Sequence, residues 1–253
     1  MDVAWFTHAG TVRRHNEDGL LVAGVVSSDA MVKPEFESSF KANILAVADG
    51  VGGYKGGARA TRVVLECLQV CNGNLSSQNA NIGVRDILKA ASRKIRDITM
   101  EDHLLVNMAS VVAGVWLGDG CVYVFNSGDC RVYRVNGQRL ERITNDHSVV
   151  QQLFDSGEIT EDEMRFHPSK GIITSAIGAE GIGSDFKLYD KVIPVKIGDR
   201  ILLCTDGVWE VLSLEELERI ICHGSIEHVA YGLKDVLFSR NCSDNVTFIV
   251  ADM

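Results

Sequence analysis

Short apolar runs recur along the chain at Leu20 to Val26, Ile44 to Ala48, Ser110 to Leu117, Val122 to Asn126, Arg131 to Val135, Ile201 to Cys204 and Val246 to Ala251. Runs of this length and make-up predict strands in both halves of the chain. Asn136-Gly137, between Val132-Tyr133-Arg134-Val135 and Arg139 to Ile143, predicts a two-residue hairpin with φ > 0 at both turn positions, and so adjacent antiparallel strands. Helical spacing replaces the runs in four places. Ala58 to Cys71 carries Val63, Val64 and Leu68, and Ile82 to Thr99 carries Ile87, Leu88, Ala91 and Ile95. Leu214 to Cys222 follows Ser213, with Glu216 three residues on as in a capping box, and Ile226 to Phe238 closes the second half. Strands in both halves with amphipathic helices to cover them predict an α+β fold, a four-layer α-β-β-α sandwich of two antiparallel sheets flanked by helices. No Pro- or Ser-rich linker and no internal repeat divides the sequence, so residues 1–253 read as a single domain.

Composition narrows the partners. The 253 residues are 46% hydrophobic and 23% charged, the balance of a packed globular chain. Lys and Arg number 25 against 34 Asp and Glu, a net charge of −9, which argues against nucleic acid or an anionic membrane as a partner held by bulk charge. An excess of carboxylates points to cations instead. Seven Cys, an odd number with no C-x-x-C pair, read as reduced thiols in a cytoplasmic protein. Met1 to His8 has neither the basic flank nor the long apolar run of a signal peptide, and no stretch approaches the ~18 apolar residues of a membrane span.

The acids cluster at the ends of the apolar runs. Asp49-Gly50 ends Ile44 to Ala48 and opens the Gly-rich turn Val51 to Gly57; Asp206-Gly207 ends Ile201 to Thr205; Asp244 precedes the last strand; Glu17-Asp18 follow Arg13-Arg14-His15-Asn16. Taken singly, Asp before Gly makes turns. Taken together, carboxylates at the mouths of apolar strands are costly unless cations or donors meet them, and hard divalent ions with oxygen ligands meet that need. The chain has no G-x-x-x-x-G-K-[ST], no H-E-x-x-H and no G-x-S-x-G.

Five segments in this order, Arg13-Arg14-His15-Asn16-Glu17-Asp18, Val47 to Gly53, Ser127-Gly128-Asp129-Cys130-Arg131, Cys204-Thr205-Asp206-Gly207 and Ser243-Asp244-Asn245, resemble the motifs of the metal-dependent type 2C protein Ser/Thr phosphatases, in their bacterial branch. The resemblance runs from about Phe6 to Ala251. It implies a β-sandwich flanked by helices with two Mn²⁺ or Mg²⁺ ions at one end. It also implies roles: Asp49 as bridging ligand, the Gly50 carbonyl at the second metal, Asp206 and Asp244 at the first, Glu17 holding water at the second, Asp18 in support and Arg13 gripping the phosphate. Two ions roughly 3.5–4 Å apart can lower the pKa of a shared water and orient it for in-line attack on phosphorus. The implied partners are phosphorylated proteins, substrates of a bacterial Ser/Thr kinase.

Departures from the family pattern are local. Tyr54 stands where many relatives have His as a proton donor, so water or another His would serve. No acid follows Asp102 in Leu104 to Val111, so the family's third metal position, near Val106 or Asn107, lacks its carboxylate. Asp129, Asp146, His15, His147 and His167 read as ordering loops or as solvated, and Cys130 as without redox role. The segment from about 149 to 178, with its helix start Gly157 to Glu163, resembles the flap that covers the site in bacterial members. Two rivals stand beside a phosphoprotein phosphatase: a non-catalytic phosphoprotein-binding regulator of the same fold, which would not need Glu17, Asp49, Asp206 and Asp244 together, and a hydrolase of small phosphate esters, for which no nucleotide motif speaks.

Overall fold

The computed structural model describes residues 1–39, 43–51, 56–70, 80–105, 107–118, 120–178 and 185–253. Gly52 to Lys55, with Tyr54, lie outside the described residues, as do Cys71 and Val106. The strands are β1 (Asp2–His8), β2 (Gly19–Val22), β3 (Val25–Ser27), β4 (Glu35–Glu37), β5 (Ile44–Val51), β6 (Ala109–Gly118), β7 (Cys121–Ser127), β8 (Arg131–Asn136), β9 (Arg139–Arg142), β10 (Ile177–Gly178), β11 (Tyr189–Pro194), β12 (Arg200–Cys204) and β13 (Val246–Asp252). The helices are α1 (Gly56–Val70), α2 (Ala80–Glu101), α3 (Val149–Asp155), α4 (Glu161–Met164), α5 (Asp206–Trp209), α6 (Leu214–Ile221) and α7 (Ile226–Ser239).

One sheet runs β4-β1-β13-β12-β8-β9 and the other β11-β7-β6-β5-β2-β3, with β10 on β6, and every pairing is antiparallel. Alternation along the strands builds three apolar layers. In β5, Leu45 and Val47 face the other sheet, while Ile44, Ala46 and Ala48 face α1 and α2. In β13, Ile249 and Ala251 face inward, and Val246, Phe248 and Val250 face α6 and α7. The order is helices, sheet, sheet, helices, as the sequence predicts. Fully burying each Leu, Ile or Phe of these layers contributes about 1.5–3 kcal/mol.

Caps fall where the sequence places them. Ser213 and Glu216 form a reciprocal capping box at α6, and Thr160 with Glu163 does the same at α4. Two turns differ from expectation. Leu20 to Val26 is not one strand but a hairpin, because Ala23 and Gly24 take φ of 58° and 68° and fold β3 back onto β2 with Val22 opposite Val25. At the second hairpin Asn136 pairs with Arg139, so the turn is Gly137-Gln138; only Gly137 has φ > 0 (67°), the arrangement with Gly at the first central position. The flap segment is anchored at its root by an isolated bridge of Ser148 with Ile173.

Candidate metal centre

The inter-sheet layer is aliphatic along most of its length and turns polar at one end. The residue parity that aims Leu45 and Val47 between the sheets carries Asp49, opposite Val111, to the same face. The parity of β13 brings Thr247 and Asn245 there, and that of β12 brings Thr205. Buried Thr7, Thr205 and Thr247 form a polar plug: the hydroxyls of Thr7 and Thr247 lie 2.7 Å apart, and the Thr247 N–H donates to Thr205 Oγ1 at 3.1 Å. The Thr205 hydroxyl in turn donates to Asp18 Oδ2 at 2.8 Å, so Asp18 is held behind the site by the plug.

Above the plug lies a cleft of about 240 Å³ lined by Arg13, Glu17, Asp49, Gly50, Asp206 and Asp244, the residues named from the sequence, together with Asp129. Asn245 joins the two chain segments that supply them. Its Oδ1 accepts from the Glu17 N–H at 2.8 Å, its Nδ2 donates to the carbonyls of His15 (2.9 Å) and Ala9 (3.2 Å), and its own N–H donates to Asp244 Oδ1 at 2.9 Å. Two glycines set the near wall. A Cβ on Gly50 would run into the Gly57 backbone, and a Cβ on Gly57 would overlap Glu17 Oε2, so β5, the first turn of α1 and the Glu17 carboxylate can meet only because both side chains are absent. Arg13 stands at the mouth, its Nη2 2.9 Å from Asp244 Oδ2 in a half-exposed ion pair.

The electrostatics are those of crowded anions. Asp49 and Asp206 open onto the cleft but are otherwise walled in by protein, and burial, then the charges around them, holds both carboxyls well above the usual range. The charges raising Asp49 are Asp18, Asp206 and Asp129; those raising Asp206 are Asp129, Asp18, Asp244 and Glu210. Burial pushes Asp18 up to about 6, against the opposing hydrogen bonds of Thr205 and Thr247. Burial and Asp146 push Asp129 up to about 7 despite Arg131. Among the described residues no Lys, Arg or His side chain forms an ion pair with Asp18, Asp49, Asp129 or Asp206.

Such a set fits hard cations. As they stand, no three described His, Cys, Asp or Glu side chains converge closely enough to hold an ion alone, so the acids ring an open cleft rather than a closed cage. Hydrated divalent ions, which take one or two carboxylates each and keep several waters, suit a ring of this kind. Asp129, read from the sequence as ordering its loop, also lines the cleft. Its Gly-Asp context does not signal that position, which follows from β8 pairing with β12 and packing across the sandwich on β6. Asp146 does order its loop, clamping Arg131 at 2.6 and 3.0 Å. His147 and His167 are structural, their Nδ1 atoms accepting from the N–H groups of Gly128 and Ser169 at 3.1 Å. Cys130 is buried, and desolvation holds its thiol well above its ordinary range, which disfavours the thiolate.

Comparison with known proteins agrees with this geometry. A serine/threonine phosphatase, stp, of Listeria monocytogenes is 28% identical over 225 residues, 87% of this chain and 83% of its own. The crystal structure of the serine/threonine phosphatase Stp1 from Staphylococcus aureus superposes with a TM-score of 0.85 at 26% identity, covering 99% of this chain and 94% of that one. The catalytic domain of a phosphatase PstP, solved in complex with two manganese ions, shares the fold with a TM-score of 0.82 at 24% identity, covering 100% and 99%. The model of the family described as Protein phosphatase 2C matches residues 20–230. The chain is a member of the protein phosphatase 2C family.

Proposed function

We propose that this protein removes phosphate from phosphoserine and phosphothreonine in proteins, using two Mn²⁺ or Mg²⁺ ions held in the cleft. The observation that carries the reading is the group of walled-in carboxylates, Asp49 and Asp206 foremost, with raised pKa values and no cationic partner among the described residues. The names of the relatives, serine/threonine phosphatases, support the same substrate class.

In this reading Asp49, the Gly50 carbonyl, Asp206 and Asp244 would hold the two ions, and Glu17 would hold water beside them. When bound, such ions supply Lewis acidity, lowering the pKa of water and neutralising phosphoryl charge. The chain's own groups do the positioning. Asn245 fixes Glu17 and Asp244 relative to one another through paired backbone contacts. Thr205 fixes Asp18, and Asp18, within hydrogen-bonding reach of Asp49, sets the orientation of the Asp49 carboxylate. Arg13, at the mouth, presents a planar fork suited to two phosphate oxygens at once. Burial lowers the pKa of His147, and its Nδ1 accepts from the Gly128 N–H, which fixes the ring against its loop.

The catalytic unit comprises residues 1–253 as one domain with the flap at about 149–178, and the protein acts in the cytoplasm against a bacterial Ser/Thr kinase. No described helix is long and apolar enough to cross a membrane. Phosphate release from a phosphothreonine peptide, with chelator and with added Mn²⁺, tests the function. Release only with metal is expected, and undiminished release in excess chelator would contradict it.

A further inference from the structure

Two acids of the metal cleft sit on separate pieces of chain. Asp206 opens α5 at the end of β12, Asp129 lies in the turn between β7 and β8, and both line the cleft. Asp129 is the neighbouring charge that acts most strongly on Asp206, so two like charges face each other there. Left to themselves they would move apart, and the fold must hold their spacing.

Trp209 joins the two pieces. α5 is a single turn, Asp206–Trp209, closed by the Glu210 N–H donating to the Asp206 carbonyl at 2.8 Å, and Trp209, three residues on, shares the Asp206 side of it. The turn is wedged in place: a Cβ on Gly207 would run into the Asn245 carbonyl, and Val208 is fully buried. From this base the indole reaches across to the other piece, its Nε1 donating to the Asp129 carbonyl at 3.1 Å. The Arg131 guanidinium, two residues beyond Asp129, lies 3.5 Å over the ring, and is itself held by the Asp146 carboxylate at 2.6 Å and the Tyr133 hydroxyl at 3.2 Å.

Packing explains part of this arrangement. Trp209 is half-buried against the apolar layer that faces α6 and α7, and any large ring would serve there. Packing does not explain the N–H. Trp209 also borders a cavity of about 260 Å³ on the flap side, where water could satisfy the donor, yet the donor is engaged on the backbone of a cleft acid.

We infer that Trp209 is a positioning residue: its indole N–H, with its face stacked on Arg131, holds Asp129 at a set distance from Asp206 and keeps both charges on the cations of the cleft. The inference rests on the metal reading above. Losing one neutral hydrogen bond of this kind weakens the seat by about fivefold in metal affinity.

The test compares the unmutated protein with Trp209→Phe, which keeps a ring beside Arg131 and removes the N–H. In crystals grown in chelator, Asp129 should stand about 1 Å farther from Asp206 in the variant, a displacement of the size that matters at a reacting centre. Titration calorimetry should show Mn²⁺ affinity about fivefold weaker, with the thermal midpoint in chelator nearly unchanged. In an Asp129→Asn background, which lacks the charge that Trp209 places, Trp209→Phe should leave Mn²⁺ affinity as it is. A purely structural Trp209 would do the reverse, with a lower midpoint in chelator and the same Mn²⁺ affinity. Asp129 unmoved in the variant, Mn²⁺ affinity unchanged, or the same loss in the Asp129→Asn background would overturn the inference. Failure of the metal reading shows separately: if the unmutated protein takes up no Mn²⁺, that reading falls, and the distance between Asp129 and Asp206 in the two chelator structures still decides the positioning.

Discussion

A single buried carboxylate and a crowded group of others lie side by side at one end of this sandwich, and their surroundings are opposite. Under the flap Asp146 meets the Arg131 guanidinium in a fork, with Arg142 and Trp209 completing the shell. In the cleft Asp49, Asp206, Asp129 and Asp18 meet mainly one another. A buried charge is tolerable when paired and costly when it is not. Asp146 is therefore part of a structural joint complete within the chain. The cleft group has no such partner among the described residues, and that contrast is what the proposed metal seat rests on.

The contrast can be broken from either side. Asp49→Asn should lower metal-dependent phosphopeptide turnover by at least about 10³-fold, about 4 kcal/mol of barrier, while raising the thermal midpoint in chelator because it removes an unpaired buried charge. Steady-state kinetics and calorimetry on the same sample check both halves. Asp146→Ala should do the reverse, destabilising the fold by about 3–5 kcal/mol with or without metal, since Arg131 is left buried without its partner. Denaturant unfolding measures this, and a loss of only a few tenths would show that Arg131 finds another anion.

The pH dependence sharpens the same difference. The cleft acids titrate higher in the folded chain than in the unfolded one, Asp18 at about 6 and Asp129 at about 7 against an ordinary 3.8. Between about pH 4 and 7 the folded state thus binds more protons, and its stability falls as pH rises. In chelator the melting temperature should drop from pH 5 to pH 8, and Mn²⁺ should cancel most of that drop. The smallest effect is at the mouth. Arg13→Ala should lower kcat/KM for phosphopeptides by about 10–100-fold, the worth of a charge-assisted hydrogen bond. Metal affinity should change by less than about fivefold, because the Arg13–Asp244 pair is exposed. Metal affinity lost in parallel with activity would place Arg13 in the cage.

What was legible in the sequence follows the strength of local signals. β5 and β6 are buried on both faces and show as continuous apolar runs, and α6 announces itself with Ser213 and Glu216. β11 is an edge strand with one buried residue, Ile193, so nothing in its composition marks it until β7 supplies the partner. β1 carries Asp2, Thr7 and His8 among its apolar residues, and pairing with β13 rather than composition makes it a strand. The hairpin at Ala23-Gly24 was hidden because Ala rarely takes positive φ. The site was more legible than the fold's edges, since acids at strand ends are local features. The place of Asp129 in the cleft was not, being a product of how the two sheets face each other.

The central claim, that the cleft acids form a seat for two divalent ions, is tested most directly by Mn²⁺ stoichiometry. After chelator treatment and exhaustive dialysis, the unmutated protein should take up two Mn²⁺ per chain by titration calorimetry, and Asp49→Asn should lose that uptake while remaining folded. No uptake by the unmutated protein, or two ions retained by Asp49→Asn, would contradict the account.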